Sequence, residues 1–318
     1  MATVNAAELA RWTPISIHLD DPTPSIDWAD LGDLRFMEPF FDDTVERWAR
    51  RTPTPRTVNT NLDALTVLDQ APSLDPSGMI FHMSRCGSTL ATRLLQQVPG
   101  CVVVSEAASI NSVLQADAAI MDDETRARLL RLLIRALGRR RFGDERHFVL
   151  KLTSWNVCQL DVFRRAFPAT PLVWLQREPA DVIASLLARP PEWRTDKPVG
   201  HAATLESAEF YVRAVARLLQ AACGAFPGTM STVDYSALPE AVWTTIAPLF
   251  GWAPSSDDIA LMVAQARYYS KDVDRRLFER PPELATASSR SIAGLGAEAL
   301  DPLYRELRRR EISKPDPR

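Results

Sequence analysis

Cysteine and lysine are both scarce in this sequence of 318 residues. The four cysteines are widely spaced and form no Cys-x-x-Cys pair, which argues against a zinc knuckle and against a disulfide framework. The chain has only four lysines, so its basic character comes almost entirely from arginine, and each lysine merits individual attention. The cysteines are Cys86, Cys101, Cys158 and Cys223, and the lysines are Lys151, Lys197, Lys271 and Lys314.

Long apolar runs and an excess of basic charge are also absent. No stretch approaches the roughly 20 apolar residues of a membrane span. The N-terminus lacks the basic start and apolar run of a secretory signal. A net charge of -3 and a pI of about 5.9 create no overall basic field that would attract nucleic acid. We therefore expect a cytoplasmic, soluble protein without a membrane span and without a nucleic-acid partner.

Short apolar runs alternate with longer helical patterns from residue 79 onward. The runs are nearly continuous in apolar residues, which suits parallel strands that are covered on both faces. This alternation predicts βαβ units and a three-layer αβα fold with a central, mostly parallel sheet. The predicted strands are 79–83, 101–105, 147–152, 171–176 and 230–235. The predicted helices are 89–97, 107–116, 123–137, 156–167, 179–188, 205–222 and 239–250.

Residues 1–77 differ in composition from the rest of the chain. They are rich in Pro, Asp and Thr, and the stretch FMEPFFDDTVERWARR predicts one short helix. Their tryptophans and phenylalanines would be exposed unless the segment packs on something larger. We therefore expect an N-terminal extension (1–77) packed on an α/β domain (78–313), followed by a disordered tail (314–318).

A short polar loop follows the first predicted strand of the domain. It consists of Ser84, Arg85, Cys86, Gly87, Ser88 and Thr89. Backbone N–H groups in such a turn and the helix N-terminus after it favour an anion, and Arg85 adds a permanent charge. The loop lacks the Gly-Lys-Ser/Thr ending of nucleotide triphosphatases. An ordinary strand-to-helix turn with a capping hydroxyl is the alternative interpretation.

A second candidate anion site follows the fourth predicted strand, in the segment REPADVIAS. Arg177 stands at the strand end, Pro179 suits the first turn of a helix, and Ser185 lies eight residues after Arg177. A loop arginine and a helix hydroxyl could together hold a second anion. Alternatively, Arg177 is a surface residue and Ser185 lies on a helix face. Taken with the first loop, this segment suggests a ligand with two separated anionic groups.

The two motifs together resemble those of the sulfotransferase family. The loop from Arg85 to Thr89 is similar to the family's 5′-phosphosulfate loop, and Arg177 with Ser185 is similar to its 3′-phosphate motif. The resemblance covers roughly residues 79–250. It implies a P-loop-containing nucleotide hydrolase-like fold and 3′-phosphoadenosine 5′-phosphosulfate (PAPS) as donor. It further implies 3′,5′-adenosine bisphosphate (PAP) as product and no metal.

The resemblance also implies roles for two residues at neighbouring strand ends. Glu106 ends the second strand, at the position where tyrosylprotein sulfotransferases and many bacterial relatives carry the general base. Lys151 lies inside the apolar run of the third strand, where an unpaired charge would be costly, and the family's lysine at this place stabilises charge on the leaving phosphate together with Arg85. A dipole-favoured carboxylate and a strand-end lysine that extends to solvent are the structural alternatives. Ala108 replaces an arginine of the tyrosine enzymes, so a peptidyl-tyrosine acceptor is in doubt.

Two weaker candidates lie further along the chain. Tyr235 stands at the end of the fifth strand and could fix the loop near the nucleotide, although ordinary core packing explains it equally well. Ser270 and Lys271 occur in a basic stretch of the kind that family members return to the donor. A solvated helix face is the simpler interpretation of that stretch.

Three functions are therefore compatible with the sequence. The first is a sulfotransferase that acts on a small-molecule or peptide acceptor. The second is an atypical P-loop kinase or nucleotide hydrolase. The third is an inactive relative that only binds a nucleotide. The presence of all of Arg85, Glu106, Lys151, Arg177 and Ser185 argues against the third.

Overall fold

The structure is a computed structural model that describes residues 9, 12–51, 56–191, 205–225, 230–268, 270, 276–277 and 298–309. Within these residues the strands, β1 to β8 in chain order, are Thr13–His18, Ser25–Ala29, Thr57–Asn61, Gly78–His82, Cys101–Ser105, His147–Lys151, Leu172–Gln176 and Ser231–Asp234. The α-helices, α1 to α11, are Phe41–Ala49, Asp63–Leu68, Ser88–Leu95, Ala108–Gln115, Asp123–Leu137, Leu160–Ala166, Pro179–Ala188, Leu205–Gly224, Ala247–Leu249, Ser256–Gln265 and Asp301–Arg309. Short 3₁₀ segments span Ser154–Gln159, Tyr235–Ala237 and Glu298–Leu300, and a π-helical segment spans Val242–Ile246.

The central sheet has five strands in the order β5-β6-β4-β7-β8, and every pairing is parallel. All five residues of β4 and of β7 are buried, as expected for strands covered on both faces. The predicted parallel α/β sheet is therefore confirmed, with each strand within one or two residues of its predicted position.

Helices form one contacting group on each face of the sheet. The α3 helix contacts the π-helical segment and α10, while α4, α5, α6, α7, α8 and α11 form a second contacting chain. The crossover from β4 to β5 runs across the sheet in the opposite direction from the later crossovers. Right-handed crossovers therefore place α3 on the face opposite the helices that follow β5.

The N-terminal region contains more structure than the single predicted helix. The β1, β2 and β3 strands form an antiparallel sheet in that order, and β1 contacts α4 and α5 of the main domain. Trp28 is fully buried, and its indole N–H donates to Thr60 Oγ1 at 2.9 Å. The prediction of helix alone was incomplete because prolines and aspartates interrupt the apolar alternation of this region.

Two helical predictions also differ in detail from the structure. The pattern 156–167 divides into the 3₁₀ segment Ser154–Gln159 and α6, and the pattern 239–250 contains the π-helical segment and the short α9. The C-terminal tail 314–318 lies outside the described residues. Among the helices that the structure describes, none is long and apolar enough to cross a membrane.

Candidate active site

The carboxyl edge of the central sheet brings the predicted site residues together. The polar loop follows β4, Lys151 is the last residue of β6, and Glu106 follows β5. Because β5, β6 and β4 are adjacent and parallel, these three strand ends meet at one edge. Arg177 follows β7, which lies on the other side of β4.

The loop after β4 has an unusual backbone conformation. Ser84, Arg85 and Gly87 have φ angles of 31°, 54° and 80°. Positive φ is uncommon for residues other than glycine and costs conformational energy, which proteins retain mainly at functional sites. A Cβ added to Gly87 would lie 2.8 Å from the Tyr235 ring, so close packing also requires glycine there. The next residue, Ser88, begins α3, so the first N–H groups of this helix border the loop.

The side chains of this loop have distinct environments. Arg85 donates from Nη2 to the carbonyl of Arg189, just beyond α7, at 2.6 Å. Cys86 is buried, and burial raises the pKa of its thiol to about 12, so this thiol stays protonated. Ser88 and Thr89 are buried in the first turn of α3. The loop therefore offers an anion mainly backbone N–H groups, with a guanidinium at its rim.

Lys151 and Glu106 form a direct ion pair. Lys151 is completely buried, and its Nζ lies 2.5 Å from Glu106 Oε1. The same Nζ lies 3.4 Å from Thr89 Oγ1 and 4.7 Å from the centre of the Phe40 ring. A buried ammonium is costly without such partners. The pair therefore joins the base candidate after β5 to the loop helix through one lysine.

Glu106 is held by its backbone as well as by its side chain. Its φ angle is 55°, and its N–H donates to the Lys151 carbonyl at 2.8 Å. Its carboxylate also lies 3.5 Å from Nε2 of His82, which contacts the Leu152 carbonyl at 2.9 Å. Burial alone would raise the pKa of Glu106, but the charge of Lys151 and the His82 hydrogen bond together lower it well below its usual range. Glu106 is therefore an anion at neutral pH.

His82 itself is buried within β4. Burial is the largest influence on its pKa and lowers it, despite the neighbouring Glu106 carboxylate. A neutral imidazole has one N–H, which we place on Nε2, where it can donate to the Leu152 carbonyl. The same Nε2 lies 3.5 Å from Glu106 Oε1, so His82 contacts this carboxylate without adding a second cation to the site.

The Arg177 side chain lies beside the first turn of α7. Its Nε and Nη2 donate to Asp181 Oδ2 at 3.1 and 2.8 Å, and its guanidinium lies 4.6 Å from the centre of the Tyr235 ring. Ser185 lies one helical turn beyond Asp181, on the same helix face. Tyr235 in turn lies against Gly87, so the two predicted anion-binding segments meet around one aromatic ring.

Tyr235 is positioned by the residue before it. Asp234 accepts hydrogen bonds from the backbone N–H of Ser236 at 2.9 Å and from the Tyr304 hydroxyl of α11 at 2.6 Å.

Ser270 is partly buried, and Lys271 lies outside the described residues, so its predicted donor contact stays a prediction. No group of His, Cys, Asp and Glu suited to a metal ion occurs in the described part of the chain.

Two residues of the N-terminal region reach this site, and the sequence analysis did not single them out. Phe40 lies over the Lys151 ammonium, and Asp42 accepts a hydrogen bond from the Ala108 N–H at the start of α4. Desolvation raises the pKa of Asp42, and the nearby Asp43 and Glu106 carboxylates add to the shift. No local motif marks either residue, since their importance comes only from the packing of α1 against the domain.

Comparisons with known proteins show what the chain is similar to. The model of the sulfotransferase family matches residues 79–253, which is more than half of the chain. Among solved structures, sulfotransferase STF9 from Mycobacterium avium is similar at 16% identity and a TM-score of 0.50, over 77% of this chain and 78% of that one. The sulfotransferase domain of the Synechococcus PCC 7002 olefin synthase is similar at 18% identity and a TM-score of 0.44, over 73% and 96%. No curated protein matches the sequence.

Proposed function

The chain belongs to the sulfotransferase family, and from that premise we propose that it transfers a sulfonate group from PAPS to a hydroxyl or amine of an acceptor. The observation that carries the proposal is the Lys151–Glu106 ion pair beside the loop after β4. This pair places an acid–base group and a buried cation next to an anion-binding turn. That combination serves a reaction in which a proton leaves the acceptor while negative charge builds on a leaving phosphate.

The residues around the loop fit a donor with two anionic ends. The N–H groups from Arg85 to Thr89 would hold the 5′-phosphosulfate, since the positive φ angles turn successive groups toward one centre. Arg177 and Ser185 would hold the 3′-phosphate. The bond between Arg177 and a single oxygen of Asp181 leaves part of the guanidinium fork for a phosphate.

Lys151 would have two anionic partners during the reaction. In the structure its ammonium is paired with Glu106 and lies beside Thr89, in the first turn of the loop helix. A donor on the loop would attract the ammonium toward the phosphosulfate, where it would stabilise the charge that builds as the bond to sulfur breaks.

The same movement would make Glu106 a stronger base. Burial alone raises the pKa of Glu106, and Lys151 is the main influence that lowers it. Drawing the ammonium toward the donor therefore increases the proton affinity of the carboxylate. Glu106 would then take the acceptor proton as the acceptor oxygen or nitrogen bonds to sulfur and PAP leaves. Such coupling delays activation of the base until the donor is in place.

The acceptor would enter on the side where the N-terminal region meets the domain. Phe40 and Asp42 come from the start of α1 and lie next to Lys151 and Glu106. An aromatic ring beside the base suits an acceptor with an apolar surface next to its hydroxyl. The structure gives no reason to favour a peptidyl tyrosine, since Ala108 lies where the tyrosine enzymes carry an arginine. We therefore favour a small-molecule acceptor.

The test is a transfer assay with labelled PAPS and an extract of the native host, comparing wild type with Glu106→Gln. We expect label in an extract component with wild type only, while PAP binding, measured by calorimetry, is retained in the variant. Arg140→Met, at an exposed arginine away from the site, is the matched control and should keep full transfer. PAP binding without labelling of any component would contradict the transfer activity. Magnesium-dependent consumption of ATP would instead favour a kinase.

A further inference from the structure

A cavity lies at the amino edge of the central sheet, opposite the candidate active site. It has a volume of about 350 Å³, near the lower end of the size of small-molecule sites. Its walls come from residues 35–37 and 96–102 and from residues 139, 141, 142, 144 and 145. Cys101 lines the cavity at the start of β5, whereas Glu106 follows the end of that strand. Five residues of strand, roughly 16 Å, therefore separate the cavity from the candidate active site.

Arg139 lies in the wall of this cavity as a buried cation. Its side chain is only 4% exposed, its Nη1 donates to the Leu9 carbonyl at 2.8 Å, and its Nε has no hydrogen-bond partner. Among the described residues, no carboxylate lies within ion-pair distance of Arg139. Burial and the neighbouring Arg141 lower the pKa of Arg139 to about 10, so it remains charged at neutral pH. A buried charge with an unsatisfied donor is costly unless something pairs with it.

The other charged groups around the cavity do not compensate Arg139. The two carboxylates of the wall already have partners. Asp144 forms a two-bond pair with Arg35, at 3.1 and 3.0 Å, and Glu145 accepts three backbone N–H groups of residues 141–143. Among the described residues, Arg141 donates to the carbonyl oxygens of Gly32 and Leu34, and the nearby charges of Glu145, Asp30 and Asp33 also act on it. The residues that line the cavity therefore include three arginines and two carboxylates, so the wall itself carries one positive charge in excess.

The remaining wall is aromatic and apolar. The ring centres of Phe36 and Phe142 lie 5.4 and 5.0 Å from the guanidinium carbon of Arg141, and Arg35 lies 4.0 Å from the Phe142 ring centre. Met37 and Val98 complete the apolar surface. A ligand that fits these features has a flat apolar body and one anionic group that can accept from a guanidinium.

We propose that this cavity is a binding site for a small aromatic monocarboxylate, whose carboxylate pairs with Arg139 and Arg141 while its ring packs against the apolar wall of Phe36, Met37 and Val98. The single negative charge matches the single excess positive charge of the wall. The ligand would also contact residues 35–37, which lead directly to Phe40 over Lys151. Gln96 fixes this connecting segment, because its side-chain amide donates to the Glu38 carbonyl at 2.9 Å.

The test is isothermal titration of the full chain with 2-naphthoate and with its uncharged counterpart 2-naphthalenemethanol. We expect 2-naphthoate to bind at least about tenfold more tightly than the alcohol, the ratio that a charge-assisted hydrogen bond provides. Arg141→Met and Arg139→Lys should each weaken 2-naphthoate by a similar factor. The lysine variant keeps the charge but loses the planar guanidinium, and circular dichroism checks that both variants are folded.

Two controls separate this cavity from other binding. Arg140→Met removes the same charge from the same segment, but Arg140 is exposed and does not line the cavity, so affinity should not change. Arg177→Met alters the candidate active site and should also have no effect. Absent binding, equal affinity for the acid and the alcohol, or a loss in Arg177→Met rather than in Arg141→Met would each overturn the proposal.

Discussion

The contribution of the Lys151–Glu106 pair to the stability of the fold tests directly how the candidate active site is built. The perturbation is a double-mutant cycle that consists of Glu106→Gln, Lys151→Met and the two changes combined. Lys151 is completely buried, whereas the Glu106 side chain is 23% exposed. Either single change leaves one charged group without its partner, and the combined change leaves neither.

The expected magnitudes follow from the contact distance and from burial. At 2.5 Å and an effective dielectric of about 20, the attraction is about 7 kcal/mol, which is largely offset by several kcal/mol of desolvation for each ion. We therefore expect the intact pair to stabilise the fold only modestly. Removing one partner should lower the free energy of unfolding by about 3–5 kcal/mol. Lys151→Met should lie toward the lower end, because Glu106 keeps some contact with solvent. Glu106→Gln should lie higher, because the ammonium it leaves is fully buried.

The assay is equilibrium urea unfolding of the wild type and of the three variants. We expect the double variant to be less destabilised than the sum of the single changes by about 2–3 kcal/mol. An exposed pair on α11, Asp301 with Arg305, is the control cycle, and its coupling should be below about 1 kcal/mol. Additive effects at Glu106 and Lys151, within about 0.5 kcal/mol, would refute the inference that the two side chains form one coupled unit.

Three further predictions follow from the same site. Gly87→Ala should destabilise the fold by about 1–3 kcal/mol and weaken PAP binding, because the added Cβ would meet the Tyr235 ring at a left-handed backbone position. Thermal unfolding and calorimetry measure the two effects, and an unchanged unfolding temperature and affinity would contradict this prediction. Arg177→Met should weaken PAP binding by about 10- to 100-fold in calorimetry, with Arg140→Met as the unaffected control. Because the pKa of Glu106 is lowered from its ordinary value of 4.5, the ionised carboxylate stabilises the fold above pH 4.5, and this stabilisation is lost as the pH falls below 4.5. The difference in urea midpoint between wild type and Glu106→Gln should therefore become smaller at acid pH. A difference that does not change with pH would argue against the ion pair.

Much of the central fold could be predicted from the sequence because its strands are buried on both faces. Such strands appear as short, nearly continuous apolar runs, and all five predicted runs are strands of the parallel sheet. The N-terminal sheet could not be predicted in the same way. Its β3 strand, Thr57–Asn61, is mostly polar and exposed, so pairing with β2 rather than an apolar pattern determines its structure.

The candidate site likewise has some features that the sequence predicts and others that it does not. The order of residues along the chain sets which chemical groups lie at each strand end, and a parallel sheet must bring those of Glu106 and Lys151 to one edge. The pairing of Lys151 with Glu106 and the position of Phe40 over the ammonium depend on how distant segments pack in the folded chain. The same packing buries Arg139 without a carboxylate partner among the described residues. Charge and residue type are local properties of a sequence, but partners and solvent exposure depend on segments far apart in the chain.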